Sequence, residues 1–233
     1  MKKVGIRGMT MEKQRHFLFI GNSATYVNDI PGMLAALCGK MGIQITQKQI
    51  AFGGRFLKHH AEDPAVIAEI AKGYDAVFLQ ENGNAMLTEE ARAASEAACK
   101  KLVGAAHQAG SRCYFYVRPP YEKPLGSYHC FEQCALFDDH FTPMAEQWGV
   151  RCVYVNRAFA YAIKHHGMIL WGEDHAHTNT CGAYLAVCSF YASIFGRSAT
   201  ELDNGYNIPK QEAALLQKIA DKIALEGVIP WKE

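Results

Sequence analysis

Apolar and polar positions alternate along this chain in blocks rather than residue by residue. HFLFI (16–20), IQITQKQIAF (43–52), DAVFLQ (75–80), SRCYFYV (111–117) and VRCVYVN (150–156) are short runs rich in β-branched and aromatic residues, and each reads as a strand. Between and after them lie longer segments with helical spacing: Pro31 to Met41, Thr88 to Gln108, about Gly126 to Trp148, Asn179 to Phe195 and Pro209 to Leu225. The segment TEEARAASEAACKKLVGAAHQ opens on a Thr and an acidic first turn and meets Gly110 at its end, as a capped helix should. The stretch from Gly53 to Lys72 is mixed. Strands apolar on both faces and separated by helices predict a mostly parallel five-stranded sheet covered on both sides, a three-layer α/β/α sandwich.

In such a sheet, ligands sit outside the carboxyl ends of the strands. The rule singles out the loops after Ile20, Phe52, Gln80, Val117 and Val155, together with a late loop at 171–178.

Composition narrows the function classes. With 233 residues, about half of them hydrophobic, one domain over residues 16–233 is expected, preceded by a flexible segment 1–15. Lys and Arg number 24 against 23 Asp and Glu, so there is no general attraction to nucleic acid or an anionic membrane, and a small neutral partner is expected. No secretion signal is readable in MKKVGIRGMTMEKQRH, and no run approaches the ~20 apolar residues of a membrane span. Eight cysteines without a leader favour reduced thiols and a soluble, cytoplasmic protein. Cys130, Cys134 and His129 look loosely like metal ligands, but no second Cys pair follows them.

The first loop lies in FIGNSATY (19–26), where Ser23 follows the strand by three residues. Its bland reading is a turn residue, with Asn28 or Asp29 capping the helix that has Pro31 in its first turn. Phosphate-loop, dinucleotide and G-x-S-x-G patterns all fail here: after Gly21 the next glycine is Gly32 with no following lysine, and Thr25 stands where the second elbow glycine should be. Far along the chain, WGEDHAHTNTCGAYLAV sets Asp174 three residues before His177. A serine hydroxyl needs a base, and an imidazole serves best when a carboxylate fixes its tautomer. Oxyanion donors could come from Gly53 or Gly54 after the second strand and from Asn82 in LQENGN after the third, although Gly and Asn are also the commonest turn residues.

The order Ser, Gly, Asn, Asp-x-x-His at the ends of successive elements resembles the SGNH hydrolases, the GDSL-like esterases and lipases; GNS in place of GDS is most like a bacterial branch. The resemblance spans residues 17 to about 195. It implies a flavodoxin-like fold and a serine esterase that uses no cofactor and no metal. Ser23 would be the nucleophile, His177 the base oriented by Asp174, Gly54 (or Gly53) and Asn82 the oxyanion donors, and a small ester the substrate, with an O-acetylated carbohydrate as one candidate. The chain departs from the family at Gln80, where the third block usually opens on Gly, at Thr178, where many members have Pro, and at His175 inside the dyad. Tyr26, Arg55, Glu81, Arg118 and Trp171 are candidates for shaping the substrate site: the aromatics suit a sugar ring or flat acyl group, the arginines a carboxylate. Two rival readings are a catalytically silent carbohydrate- or ligand-binding module on the same fold, and a metallohydrolase using Asp174, His175 and His177.

Overall fold

The computed structural model describes residues 14–203 and 206–232. Five strands form one parallel sheet in the order β2-β1-β3-β4-β5: β1 (Arg15–Gly21), β2 (Ile45–Ala51), β3 (Ala76–Leu79), β4 (Arg112–Val117) and β5 (Arg151–Tyr154). The order reverses at β1, which pairs with both β2 and β3 (Ile20 opposite Ile50 and Leu79), so the carboxyl end of β1 is the switch point where a ligand crevice is expected.

Side chains alternate across the sheet and feed two cores. Phe17, Phe19, Phe78, Tyr114 and Tyr116 face one side, packed on α2 (Ile30–Lys40), α7 (Val155–His166), α8 (Thr180–Phe195) and α9 (Lys210–Ala224). Leu18, Ile20, Val77, Leu79, Phe115 and Val117 face the other, under α3 (Leu57–Glu62), α4 (Pro64–Ile70), α5 (Glu89–Gln108) and α6 (Cys130–Trp148). The rings of Phe19 and Phe78 stack at 4.5 Å, and Phe190 of α8 meets Phe78 edge-on at 5.3 Å, so the central strands and α8 lock together beneath the switch point. Caps fall on the expected residue types: Asp29 accepts from Gly32 N, Thr88 from Ala91 N and Asn179 from Gly182 N.

Four expectations need correction. β2 is an edge strand with Thr46 and Lys48 exposed, not a strand apolar on both faces; its Lys48 reaches Glu69 at 2.8 Å. Arg15 already belongs to β1, so the expected flexible segment 1–15 is too long by at least that residue; residues 1–13 lie outside those described. The fifth strand stops at Tyr154 rather than 156, because Asn156 donates to Cys134 O (3.0 Å) and the Arg157 fork grips Asp138 (2.9 and 2.7 Å), pulling the chain into α7; there is no loop after Val155. The sixth helix starts at Cys130, not Gly126, since Gln133 ties Tyr121, Lys123 and Tyr128 into a turn ahead of it.

Burial of His140 on α6 holds its imidazole down at about 4, with Arg92 adding a smaller push in the same direction. A histidine depressed in the folded state adds stability that is present above its unfolded value and is lost as pH falls toward the folded one. The unfolding free energy from urea titrations should therefore fall between about pH 6.5 and pH 4, by on the order of 2 kcal/mol. His140→Gln should flatten most of that slope; an unchanged slope would refute the assignment.

Candidate active site

β1 ends on Gly21, and its tight approach to β3 explains the glycine. A Cβ there would lie 2.6 Å from Gln80 Oε1 and 2.7 Å from Thr25 Oγ1. Gln80 Oε1 accepts from Asn22 N (2.9 Å) and from the Thr25 hydroxyl (3.0 Å), while His60 Nε2 donates to Gly21 O (2.8 Å); burial is the main force lowering the His60 pKa, which keeps this buried ring neutral. Gln80 and Thr25, two departures from familiar motifs, are thus partners that clamp the turn after β1. Asn22 caps the short helix α1 (Ser23–Tyr26) through Ala24 N (3.1 Å) and donates to Arg55 O (3.0 Å).

Ser23 opens α1 and is half-buried, and its hydroxyl is engaged in no hydrogen bond among the described residues. Capping falls to Asn22 for α1 and to Asp29 for α2, so neither helix needs Ser23 as its cap.

The loops after β2 and β3 are bonded to one another. Asn82 Nδ2 donates to Gly54 O (3.0 Å), and Asn82 Oδ1 accepts from Asn84 N (3.0 Å) in the turn Gly83–Met86. The second bond fixes the amide so that its NH2 end faces the Gly54 loop. Gly54 sits at φ +69, a left-handed conformation that favours glycine; Gly53 does not. Beneath them the buried Glu81 carboxylate accepts from Leu57 N (2.9 Å) and Asn82 N (2.7 Å), and burial raises its pKa.

Asp174 and His177 meet as one unit. The Asp174 carboxylate accepts from His177 Nδ1 (2.5 Å), His177 N (2.9 Å) and Ala176 N (3.0 Å). The backbone N–H of His177, then its ring, then Ala176 N hold the Asp174 carboxyl well below the usual carboxylate range, so it is ionised. Because that oxygen can only accept, the proton sits on Nδ1 and Nε2 is left as the proton acceptor. The loop closes through a bridge between Trp171 and Thr178 and a bond from Gly172 N to His177 O (2.9 Å). His175 takes the left-handed conformation (φ +60) and turns away to Glu122, 2.6 Å from its carboxylate.

Asn28 joins this loop to the first one: its amide donates to Thr178 O and to Thr178 Oγ1 (3.3 Å). Asn28 and Asp29 are both left-handed, at φ 60 and 44, a conformation that costs energy and persists where surroundings enforce it. The loops carrying Ser23, Gly54, Asn82 and His177 are therefore knit at one end of the sheet. The Ser23 hydroxyl and the His177 ring are not hydrogen-bonded to each other, as is common before substrate is bound.

The other candidates divide by burial. Tyr26 is 41% exposed, its hydroxyl 3.1 Å from where a Gly53 Cβ would lie, and Phe52, not singled out from sequence, is 57% exposed in the β2 loop that carries the glycines. Arg55 is exposed, at 6.0 Å from the Phe52 ring. Glu81 and Trp171 face inward; the Trp171 indole donates to Pro120 O (2.9 Å) and packs on Phe159, so it offers no free face for a sugar. Arg118 is buried at the end of β4. Among the described residues no three His, Cys, Asp or Glu side chains converge as metal ligands: Asp174 and His175 engage different partners, and the Cys134 thiol donates to Asn156 O (3.4 Å). Sequence reasoning missed the clamping roles of Gln80, His60 and Asn28; Gln80 stood out only as a departure from a motif.

No protein-family model matches the sequence, and no curated protein matches it. Solved structures do. A DUF4886 family protein from Bacteroides uniformis superposes with a TM-score of 0.78 at 16% identity, over 92% of this chain and 96% of its own. An SGNH hydrolase candidate from Slackia heliotrinireducens gives 0.64 at 22% identity, over 78% and 99%. A variant of an acetyl-xylooligosaccharide esterase from Geobacillus gives 0.61 at 17%, over 78% and 94%. The chain has the fold of the SGNH hydrolases. No described helix is long and apolar enough to cross a membrane.

Proposed function

We propose that this chain, built on the SGNH-hydrolase fold, is a serine esterase. The observation that carries the reading is the ionised Asp174 bound to His177 Nδ1, on a loop that Asn28 ties to the helix opened by Ser23. In the proposed reaction His177 Nε2 takes the Ser23 proton as the oxygen attacks the ester carbonyl. The carbonyl oxygen becomes an oxyanion facing Ser23 N–H, Gly54 N–H and the Asn82 amide. His177 then gives the proton to the leaving alcohol as the ester C–O bond breaks, and water, deprotonated by His177, releases the acid from Ser23. Ser23 N–H, as the first of α1, has no acceptor within its helix, and Gly54 N–H donates to nothing among the described residues, so both are available.

A small acyl group on a carbohydrate is the substrate we favour, supported by the fold likeness to an acetyl-xylooligosaccharide esterase and by the exposed aromatics Tyr26 and Phe52, which flank Ser23 and the glycine pair in sequence. A reducing, cytoplasmic setting is part of the same reading, supported by eight unpaired cysteines, five of them buried.

Hydrolysis of p-nitrophenyl acetate tests the reading, with exhaustive chelation as a second arm. Turnover that survives chelation is expected; loss on chelation would favour a metallohydrolase, and no turnover on a broad ester panel would favour a silent binding module. Asn82→Ala should lower kcat by roughly 10²–10³-fold, the worth of one oxyanion donor, with KM little changed. A rise in KM alone would place Asn82 in binding instead.

A further inference from the structure

We propose that the ester this protein acts on carries a carboxylate, and that Arg118 binds it; the inference rests on the esterase reading of the same site. Arg118 is only 4% exposed, yet its guanidinium makes no hydrogen bond or ion pair among the described residues, and its Nε is both buried and unpartnered. A buried charge without a partner is costly, and proteins rarely keep one unless something supplies the counter-charge. Among the described residues the compensation is the ring of Tyr121, 3.7 Å from the guanidinium carbon. That stack uses the flat face of the group and leaves its N–H edges unspent.

The position is built rather than incidental. Gly83 follows Asn82 directly, and a Cβ on it would lie 2.7 Å from Arg118 Nη1 and 2.7 Å from the Tyr121 ring, so the glycine makes room for the stacked pair. The segment that carries Arg118 is also bonded to the Asp174–His177 loop: Pro120 O accepts from Trp171 Nε1 (2.9 Å), and Glu122 N donates to His175 O (3.1 Å). Arg118 therefore lies beside Gly83, next in sequence to the proposed oxyanion donor Asn82, on a segment bonded to the loop of the proposed base. A planar guanidinium with free edges matches a carboxylate bidentately, and its one positive charge balances one carboxylate. Arg55, the other arginine considered from sequence, is exposed and lacks such a seat.

Two matched ester pairs test the proposal: mono-p-nitrophenyl succinate against p-nitrophenyl butyrate, and 4-acetoxybenzoate against phenyl acetate. These put the carboxylate on the acyl or the alcohol side. In parallel, calorimetry should follow succinate and benzoate binding to the Ser23→Ala protein at low and high salt. The expected result is a kcat/KM ratio of roughly 10- to 100-fold in favour of the charged ester in one pair, and salt-sensitive binding of the matching acid. Arg118→Gln should bring the ratio near one and abolish the binding. If that variant does not fold, Arg118→Lys, which keeps the charge without the fork, should lose most of the preference. Turnover without preference in either pair, or no salt-sensitive binding of either acid, overturns the proposal. Binding that depends on Arg118 with no turnover of any ester would instead keep the anion site and sink the esterase reading.

Discussion

Ser23→Ala should remove ester turnover, by roughly 10⁴-fold or more in kcat, while the protein melts within about 0.5 kcal/mol of the parent. Both halves of that expectation come from the same geometry. The hydroxyl is the atom that would attack, and loss of a nucleophile leaves only what the oxyanion donors and binding can supply. Yet no helix depends on it: Asn22 caps α1, Asp29 caps α2, and Gln80, Thr25 and His60 hold the turn. Alanine is also a good residue inside a helix. If the substitution unfolded the protein, Ser23 would be a structural residue after all; if activity survived, another nucleophile would have to be found.

Asp174→Asn should cost roughly 10²–10⁴-fold in kcat, with KM changed far less. The carboxylate can only accept, which forces the His177 proton onto Nδ1; an amide can donate there and leave the proton on Nε2, where the ring cannot serve as a base. Its three hydrogen bonds keep Asp174 ionised across the working range, so protonation of this carboxylate should cause no loss of rate at mildly acid pH. Asp174 is half exposed at its side chain, so its contribution to folding is small and the variant should remain folded. His177→Gln should match or exceed the loss. His175→Gln is the control: its ring is bound to Glu122, and its removal should cost far less. A larger loss at His175 than at His177 would move the base to the other histidine.

Much of this was legible in the chain because each feature had a local cause. Apolar runs gave five strands, and Thr88 and Asp29 cap helices where their chemistry predicted. Asp174 and His177 are three residues apart, so their pairing needed no knowledge of the fold. What the sequence hid was long-range. Nothing local says that Gln80, at the end of β3, will hold Asn22 and Thr25 fifty-odd residues away, or that Asn28 will reach Thr178. β5 was read too long because the apolar run CVYV continues to Val155, whereas Asn156 and Arg157 leave the sheet for partners on α6. Trp171 and Glu81 read as candidates for shaping the substrate site for the same reason: their hydrogen-bond partners, Pro120 O and Leu57 N, lie far off in sequence.

Gly182, inside WGEDHAHTNTCGAYLAV, has a packing reason: a Cβ there would stand 2.3 Å from Leu170 O and 3.0 Å from the Phe159 ring. That contact seats α8 under the start of the Asp174–His177 loop, which Asn179 also holds through Ile169 O (2.9 Å).

The most direct test of the central claim is covalent capture. A fluorophosphonate should add one phosphonyl group to the intact protein, displacing fluoride, and peptide mapping should place it on Ser23; the adduct should be absent from Ser23→Ala and slow to form in His177→Gln. Modification of a different residue, or none with an esterase-active preparation, would contradict the assignment of Ser23 as the nucleophile.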